Sequence, residues 1–228
     1  DDLLVRKSIK TSVLYCDWRN FSARSDSIEF LEKELIPSSA QIIDICEENG
    51  AVSKQIGDAI LSFYPKTDPE EALLMSLKSG IEALSSEVRR KGTFENPDRF
   101  FVVTFGKAIV GNMASSNHRE LTIIGSPANK SARLDELSKA IEIRNLIIES
   151  RALLIDSAAF QMASTFSSEL EFSHIDLKKL GSLRIRSFEE ELDVYLFPVK
   201  KKNILLINKL LAVNHFKQIS DAVGEMDA

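Results

Sequence analysis

Residues 51–64 read Ala-Val-Ser-Lys-Gln-Ile-Gly-Asp-Ala-Ile-Leu-Ser-Phe-Tyr. Two runs of strand-forming residues, 51–56 and 59–64, flank Gly57-Asp58, and a Gly-Asp pair in that setting predicts a tight β-hairpin. Upstream, residues 25–49 carry apolar side chains at helical spacing, namely Phe30, Leu31, Leu35, Ile42, Ile43 and Cys46. Pro37 interrupts them and predicts a break or two consecutive helices. Before that segment, residues 11–17 (Thr-Ser-Val-Leu-Tyr-Cys-Asp) read as a buried strand. Downstream, Asp68-Pro69-Glu70-Glu71 opens a helix with a capping acid, a proline in the first turn and acids facing the dipole. Leu73, Leu74, Leu77, Ile81, Leu84 and Val88 give it a buried face.

Farther out, residues 91–98 form a polar loop, and 100–110 read as a strand pair or a strand bent at Gly106. A short strand spans 121–124. Gly125-Ser126-Pro127 then starts a helix running to about 141, with Ser126 as its expected cap. Further strands are predicted at 153–155, 170–174 and 194–197. Strands alternating with helices around one hairpin imply an α/β or α+β sandwich, with helices covering a mixed sheet. No internal repeat or low-complexity tract is visible. After Pro198 a basic run, Lys200-Lys201-Lys202, leads into a leucine-rich stretch.

The chain has 228 residues, 34 acidic and 29 basic, with a net charge of −5. That length suits one large domain, or a domain with an added terminal segment. The acidic balance excludes a general nucleic-acid binder, which needs clustered positive charge. Two cysteines, Cys16 and Cys46, make no disulfide framework and point to a reducing compartment. The apolar runs are too short to span a bilayer. The chain opens on Asp1-Asp2 without a methionine, so a longer parent is expected, with room for a flanking regulatory or membrane domain.

Asp17 ends the first strand and Asp58 sits in the hairpin turn. Alone, each has a bland reading as a turn-solvating acid. If the hairpin lies beside the first strand, both carboxylates reach one sheet edge, where only a cation relieves their repulsion, and hard oxygens suit Mg²⁺ or Mn²⁺. Lys54 stands four residues before Asp58, a lysine that alone would be a snorkelling strand residue. Asn129 and Arg133, spaced i and i+4, project from one helix face. In isolation Arg133 would simply pair with Asp135 or Glu136.

Taken in order, these segments resemble one family. Residues 15–22, Tyr-Cys-Asp-Trp-Arg-Asn-Phe-Ser, resemble the first metal segment of class III nucleotidyl cyclases, an aspartate four residues before Phe-Thr or Phe-Ser. Residues 54–59, Lys-Gln-Ile-Gly-Asp-Ala, resemble that family's hairpin. Residues 111–115, Gly-Asn-Met-Ala-Ser, are similar to its Gly-Asn-x-Gly-Ser segment. Residues 121–125 and 129–134 are similar to its next strand and helix. The resemblance runs from about Lys10 to Pro198.

The resemblance implies a ferredoxin-like βαββαβ core with additional strands and helices over residues 11–198, between a linker at 1–10 and a helical tail at 199–228. It implies an adenylate cyclase making 3′,5′-cyclic AMP and pyrophosphate from ATP, cytoplasmic in its catalytic part. Asp17, the adjoining Trp18 and Asp58 would hold two divalent cations, Mg²⁺ or Mn²⁺. Trp18, Arg19, Asn20, Phe21 and Ser22 would meet the phosphates, as helix N-termini commonly do. Lys54 and Thr122 would read the base. Asn129 would orient the ribose and Arg133 would neutralise the transition state. Arg186 would take the place of a late lysine, although arginine and lysine are not equivalent. The metal aspartates and the base-reading residues come from different subunits in this family, so a homodimer is implied. Chemistry favours ATP: an ammonium donates to adenine N1, a threonine hydroxyl accepts from its amino group, and guanine would meet Lys54 with donors. Alternatives are a guanylate cyclase and a catalytically silent cyclase-like module. Asn20 replaces a common glycine and is expected to restrict the phosphate loop.

Overall fold

The computed structural model describes residues 5–66, 68–93, 95, 97–113, 120–165, 177–184 and 191–199. The expected strand at 170–174, Arg186 and the tail from 200 onward lie outside the described residues. Eight strands form one sheet: β1 (Lys7–Trp18), β2 (Val52–Ile56), β3 (Ala59–Phe63), β4 (Arg99–Asn112), β5 (Leu121–Gly125), β6 (Ala152–Asp156), β7 (Lys178–Arg184) and β8 (Glu191–Pro198). Their order is β2-β3-β1-β4-β6-β8-β7, with β5 on the far half of β4. The first four strands, with helices after β1 and β3, make the expected βαββαβ core. All their pairings are antiparallel, whereas β4 and β6 run parallel.

Strand alternation sorts the apolar residues onto two faces. Leu14, Cys16, Phe101, Val103, Leu153 and Ile155 meet Ile42 and Cys46 of α2 (Ile36–Glu48) and Leu73, Leu74 and Leu77 of α3 (Pro69–Lys91). Ala159 and Ala163 of α6 (Ser157–Thr165) close that layer. On the other face, Phe100, Val102 and Leu154 meet Leu134 of α4 (Ser126–Leu137) and Ile147 of α5 (Ile141–Ser150). Val13, Leu61, Phe63 and Val110 pack under Ile123 of β5 on that same side.

Local expectations hold with three refinements. Asp68 caps α3, accepting from the Glu70 amide at 2.9 Å. Pro37 does not break the rod: α1 (Ile28–Phe30) runs through a π-helical turn, Leu31–Leu35, into α2. The wider turn absorbs the missing proton of proline and the clash of its ring with the preceding carbonyls. Residues 100–110 belong to one strand, β4, which stays in register with β1 straight through Gly106. Finally, Gly125 and not Ser126 occupies the cap position of α4, which has no side-chain cap bond. A Cβ on Gly125, whose φ is 152°, would lie 2.8 Å from Ala108 Cα and 2.9 Å from the Lys107 carbonyl. Backbone contact that close requires glycine. No helix among the described residues is long and apolar enough to cross a membrane.

Candidate active site

β1 and β3 pair until Cys16 meets Ile60, so the end of β1 and the Gly57-Asp58 turn emerge at the same end of the sheet. Gly57 takes a φ of 65°, the left-handed conformation that lets the two-residue turn close. Asp17 and Asp58 therefore converge. Burial, the charge of Asp17 and a hydrogen bond shared with it all push the Asp58 carboxyl above its usual range. Two acids in that position want a cation between them. Among the described residues no group of three or more His, Cys, Asp or Glu could enclose a metal. A site of two carboxylates open to further oxygens fits Mg²⁺ or Mn²⁺, which retain water and take substrate phosphates as ligands.

The turn is anchored from beneath by Arg99, the first residue of β4, which is fully buried. It donates to the Asp58 carbonyl at 2.7 Å and to Ser39 Oγ of α2 at 2.7 Å, and lies 4.8 Å from the centre of the Trp18 ring. No carboxylate among the described residues lies within ion-pair distance of it. A cation sequestered this way is costly unless its donors are used, and here two of them fix the acid-bearing turn.

Beyond Asp17 the chain folds into a tight loop. Asn20 takes a φ of 57° and precedes a short 3₁₀ turn, Phe21–Ala23. The expected restriction at Asn20 is therefore not realised, because asparagine reaches the left-handed region more readily than other non-glycine residues. Trp18 packs edge-on against Phe30 at 5.3 Å, which ties the loop to α1. Arg19 reaches across to buried Asp135 of α4, 2.6 Å away. Burial pushes the Asp135 carboxyl up to about 7, against the pull of Arg19 and with a further push from Asp17. Asp17, Trp18, Arg19, Asn20, Phe21, Ser22 and Asp58 line one cleft of about 330 Å³, closed on its third side by Ser138, Lys139 and Arg144.

The remaining predicted residues lie outside that lining. Lys54 shares a sheet face with Val52, and thus with the side covered by β5 and α4. Its ammonium pairs with Glu120, just before β5. Thr122 stands on β5 opposite Gly111. Asn129 and Arg133 are exposed on α4, as the i, i+4 spacing requires, and Arg133 pairs with Glu136 at 3.0 Å. The site thus falls into two halves on one chain: an acidic cleft, and a polar set on the β5–α4 side.

No family model matches the chain. It is 24% identical over 193 residues to the terminal-differentiation-specific adenylate cyclase of Dictyostelium discoideum, covering 81% of this chain and 8% of that protein. The chain therefore spans only a small part of that relative. Among solved structures it superposes on the adenylyl cyclase CyaB from P. aeruginosa with a TM-score of 0.68 at 20% identity, covering 87% of this chain and 98% of that one. The fold is that of the class III nucleotidyl cyclase catalytic domains. The guanylate cyclase domain of RhGC from Catenaria anguillulae, in complex with GTP, superposes on this cyclase fold with a TM-score of 0.66 at 16% identity, over 86% and 100% of the two chains. Likeness at this level supports a nucleotide cyclase and leaves the base to be argued from chemistry.

Several residues of the cyclase-fold cleft escaped the sequence reading. Arg99 follows a polar loop and begins an aromatic strand, where an arginine ordinarily sits at the surface. Its burial depends on the β1–β4 register that places it opposite Trp18. Lys139 and Arg144 lie in a segment with no motif of its own. Glu120 meets Lys54 only because β5 folds across the sheet, a contact 66 residues apart in sequence.

Proposed function

We propose that the chain is the catalytic domain of an adenylate cyclase that works as a homodimer with two divalent cations. The observation that carries this reading is the convergence of Asp17 and Asp58 beside the 18–22 loop, in a cleft whose chemistry calls for cations and phosphate. Asp17 and Asp58 would hold the two ions, with the Trp18 backbone adjoining. When bound, the ions supply Lewis-acid polarisation of the α-phosphate and lower the proton affinity of the ribose 3′-hydroxyl. The 3′-oxygen attacks the α-phosphorus, the bond from that phosphorus to the β-bridging oxygen breaks, pyrophosphate departs, and the hydroxyl proton passes to solvent. Trp18 to Ser22 hold the phosphates, Asn129 orients the ribose, and Arg133 offsets charge on the α-phosphate. Arg186 is assigned to that last task with Arg133.

Neither Lys54, Thr122, Asn129 nor Arg133 lines the cleft formed by the acids of its own chain. A second copy supplying them across a two-fold axis completes each site. Exposed Ile56 and Ile124, each two residues from Lys54 or Thr122 along its strand, offer apolar contact at such an interface.

One observation favours a second reading. Glu120 touches the Lys54 ammonium and brings an acceptor to the base-reading position, where guanine's N1 and N2 donors would find a partner. GTP is therefore the competing substrate. Purified protein incubated with ATP or GTP and Mg²⁺ or Mn²⁺, with chromatography of the products, decides between them. Cyclic AMP is the expected product. Asp17→Ala and Asp58→Ala should each lower turnover by at least about a thousandfold, on the order of 4 kcal/mol of barrier, while retaining the native circular dichroism spectrum. Formation of cyclic GMP alone would reverse the base assignment, and no cyclic product with either nucleotide would leave the silent-module reading.

A further inference from the structure

The third wall of the acidic cleft has no part in the reaction as set out above. It consists of Ser138, Lys139 and Arg144, from the junction of α4 and α5. Ser138 is already spent, its hydroxyl donating to the Asp135 carbonyl at 2.6 Å. Arg19, the nearest cation on the opposite wall, is likewise committed to Asp135. Two cationic side chains remain at the wall, one from the end of α4 and one from the opening turn of α5. Lys139 is exposed to solvent, and no carboxylate among the described residues lies within ion-pair distance of it.

Charge balance says what this wall is for. Resting on the cyclase reading, a cleft with two carboxylates, two divalent cations and a fully ionised nucleoside triphosphate carries two uncompensated negative charges. Lys139 and Arg144 supply two positive ones. The base-reading and ribose residues belong to the other half of the site, so the half of the substrate lying along this wall is the polyphosphate end. We propose that Lys139 and Arg144 bind the two distal phosphates of the substrate and hold the pyrophosphate product. Arginine suits that task by forking to two phosphate oxygens, and lysine adds a compact charge. The cleft thereby selects triphosphates over diphosphates and monophosphates.

The test is calorimetric titration of the whole chain with inorganic pyrophosphate in Mn²⁺, for wild type, Lys139→Gln, Arg144→Gln and the double variant. Each single change should weaken pyrophosphate binding about five- to tenfold and the double change more than thirtyfold, each step being about 1–1.4 kcal/mol at tenfold per 1.4 kcal/mol. The KM for the cyclised nucleotide should rise by the same factors, and Lys139→Arg should restore most of the loss. Pyrophosphate binding by the double variant within twofold of wild type overturns the proposal. Should Arg144→Gln fail to fold, exposed Lys139 decides alone, and a loss under twofold at that position overturns it. The two readings fail separately. Wild type that cyclises nothing but binds pyrophosphate through this pair keeps the anion site and loses the enzyme, whereas active wild type whose binding ignores the pair loses the anion site alone.

Discussion

Asp135 shows how one residue joins stability to site electrostatics. It is buried on α4, pairs with Arg19 of the phosphate loop, and carries a carboxyl raised to about 7 by burial. An unfolded aspartate titrates near 3.9, so the native state holds this proton more tightly. Stability therefore falls as pH climbs from about 4 to about 7 and levels off above that, a loss of up to about 4 kcal/mol from this group. Asp58 shifts in the same direction and adds to the slope when no cation is bound. Asp135→Asn should flatten the slope, measured as urea midpoints at pH 4.5 and 7.5 without divalent ions; an unchanged slope would assign it to other groups. Asn20 offers a second residue-scale test. Its left-handed backbone predicts that Asn20→Ala costs about 1 kcal/mol and Asn20→Gly costs nothing, by urea denaturation. Equal midpoints for Asn20→Ala and wild type would deny the strain.

At the scale of elements, the joint between β5 and α4 sets where Asn129 and Arg133 can reach. Gly125 makes that joint by lying against the Ala108 backbone, where no other residue fits. Gly125→Ala should cost on the order of 2 kcal/mol or more, through strain and a backbone clash, and should lower the thermal midpoint. A midpoint within 1–2 °C of wild type, about 0.3 kcal/mol, would show that the joint yields. The hairpin, the first strand, the capped α3 and the α4 start were legible in sequence because each rests on local chemistry: Gly-Asp between β-formers, alternation, and Asp-Pro-Glu-Glu. The acids and the face of Arg133 were legible for the same reason. Arg99, Glu120, Lys139 and the Arg19–Asp135 tie were not, because each depends on strand register or on contacts across more than 60 residues, which no local pattern encodes. The π-helical turn before Pro37 was foreseen only as a break, since a proline announces a disturbance without saying how the backbone will absorb it.

For the whole molecule, Lys54 and Asp58 are four residues apart on one hairpin and are assigned to two different sites. An Asp58→Ala chain and an Arg133→Ala chain, each inactive alone, should regain activity when mixed, because one of the two sites in their heterodimer is intact. Coexpressed tagged chains would show about a quarter of the wild-type rate, since half the dimers formed at random are mixed and each has one working site of two. Failure to recover above the activity of either chain alone would place all the groups in one protomer. Arg99 carries a last consequence. Because the turn bearing Asp58 is latched by a guanidinium, an α2 hydroxyl and an indole, its shape is set by the polypeptide before any ion arrives. Chelators should strip the domain without melting it, and the divalent ions enter as replaceable reagents on a finished scaffold, exchangeable from one turnover to the next.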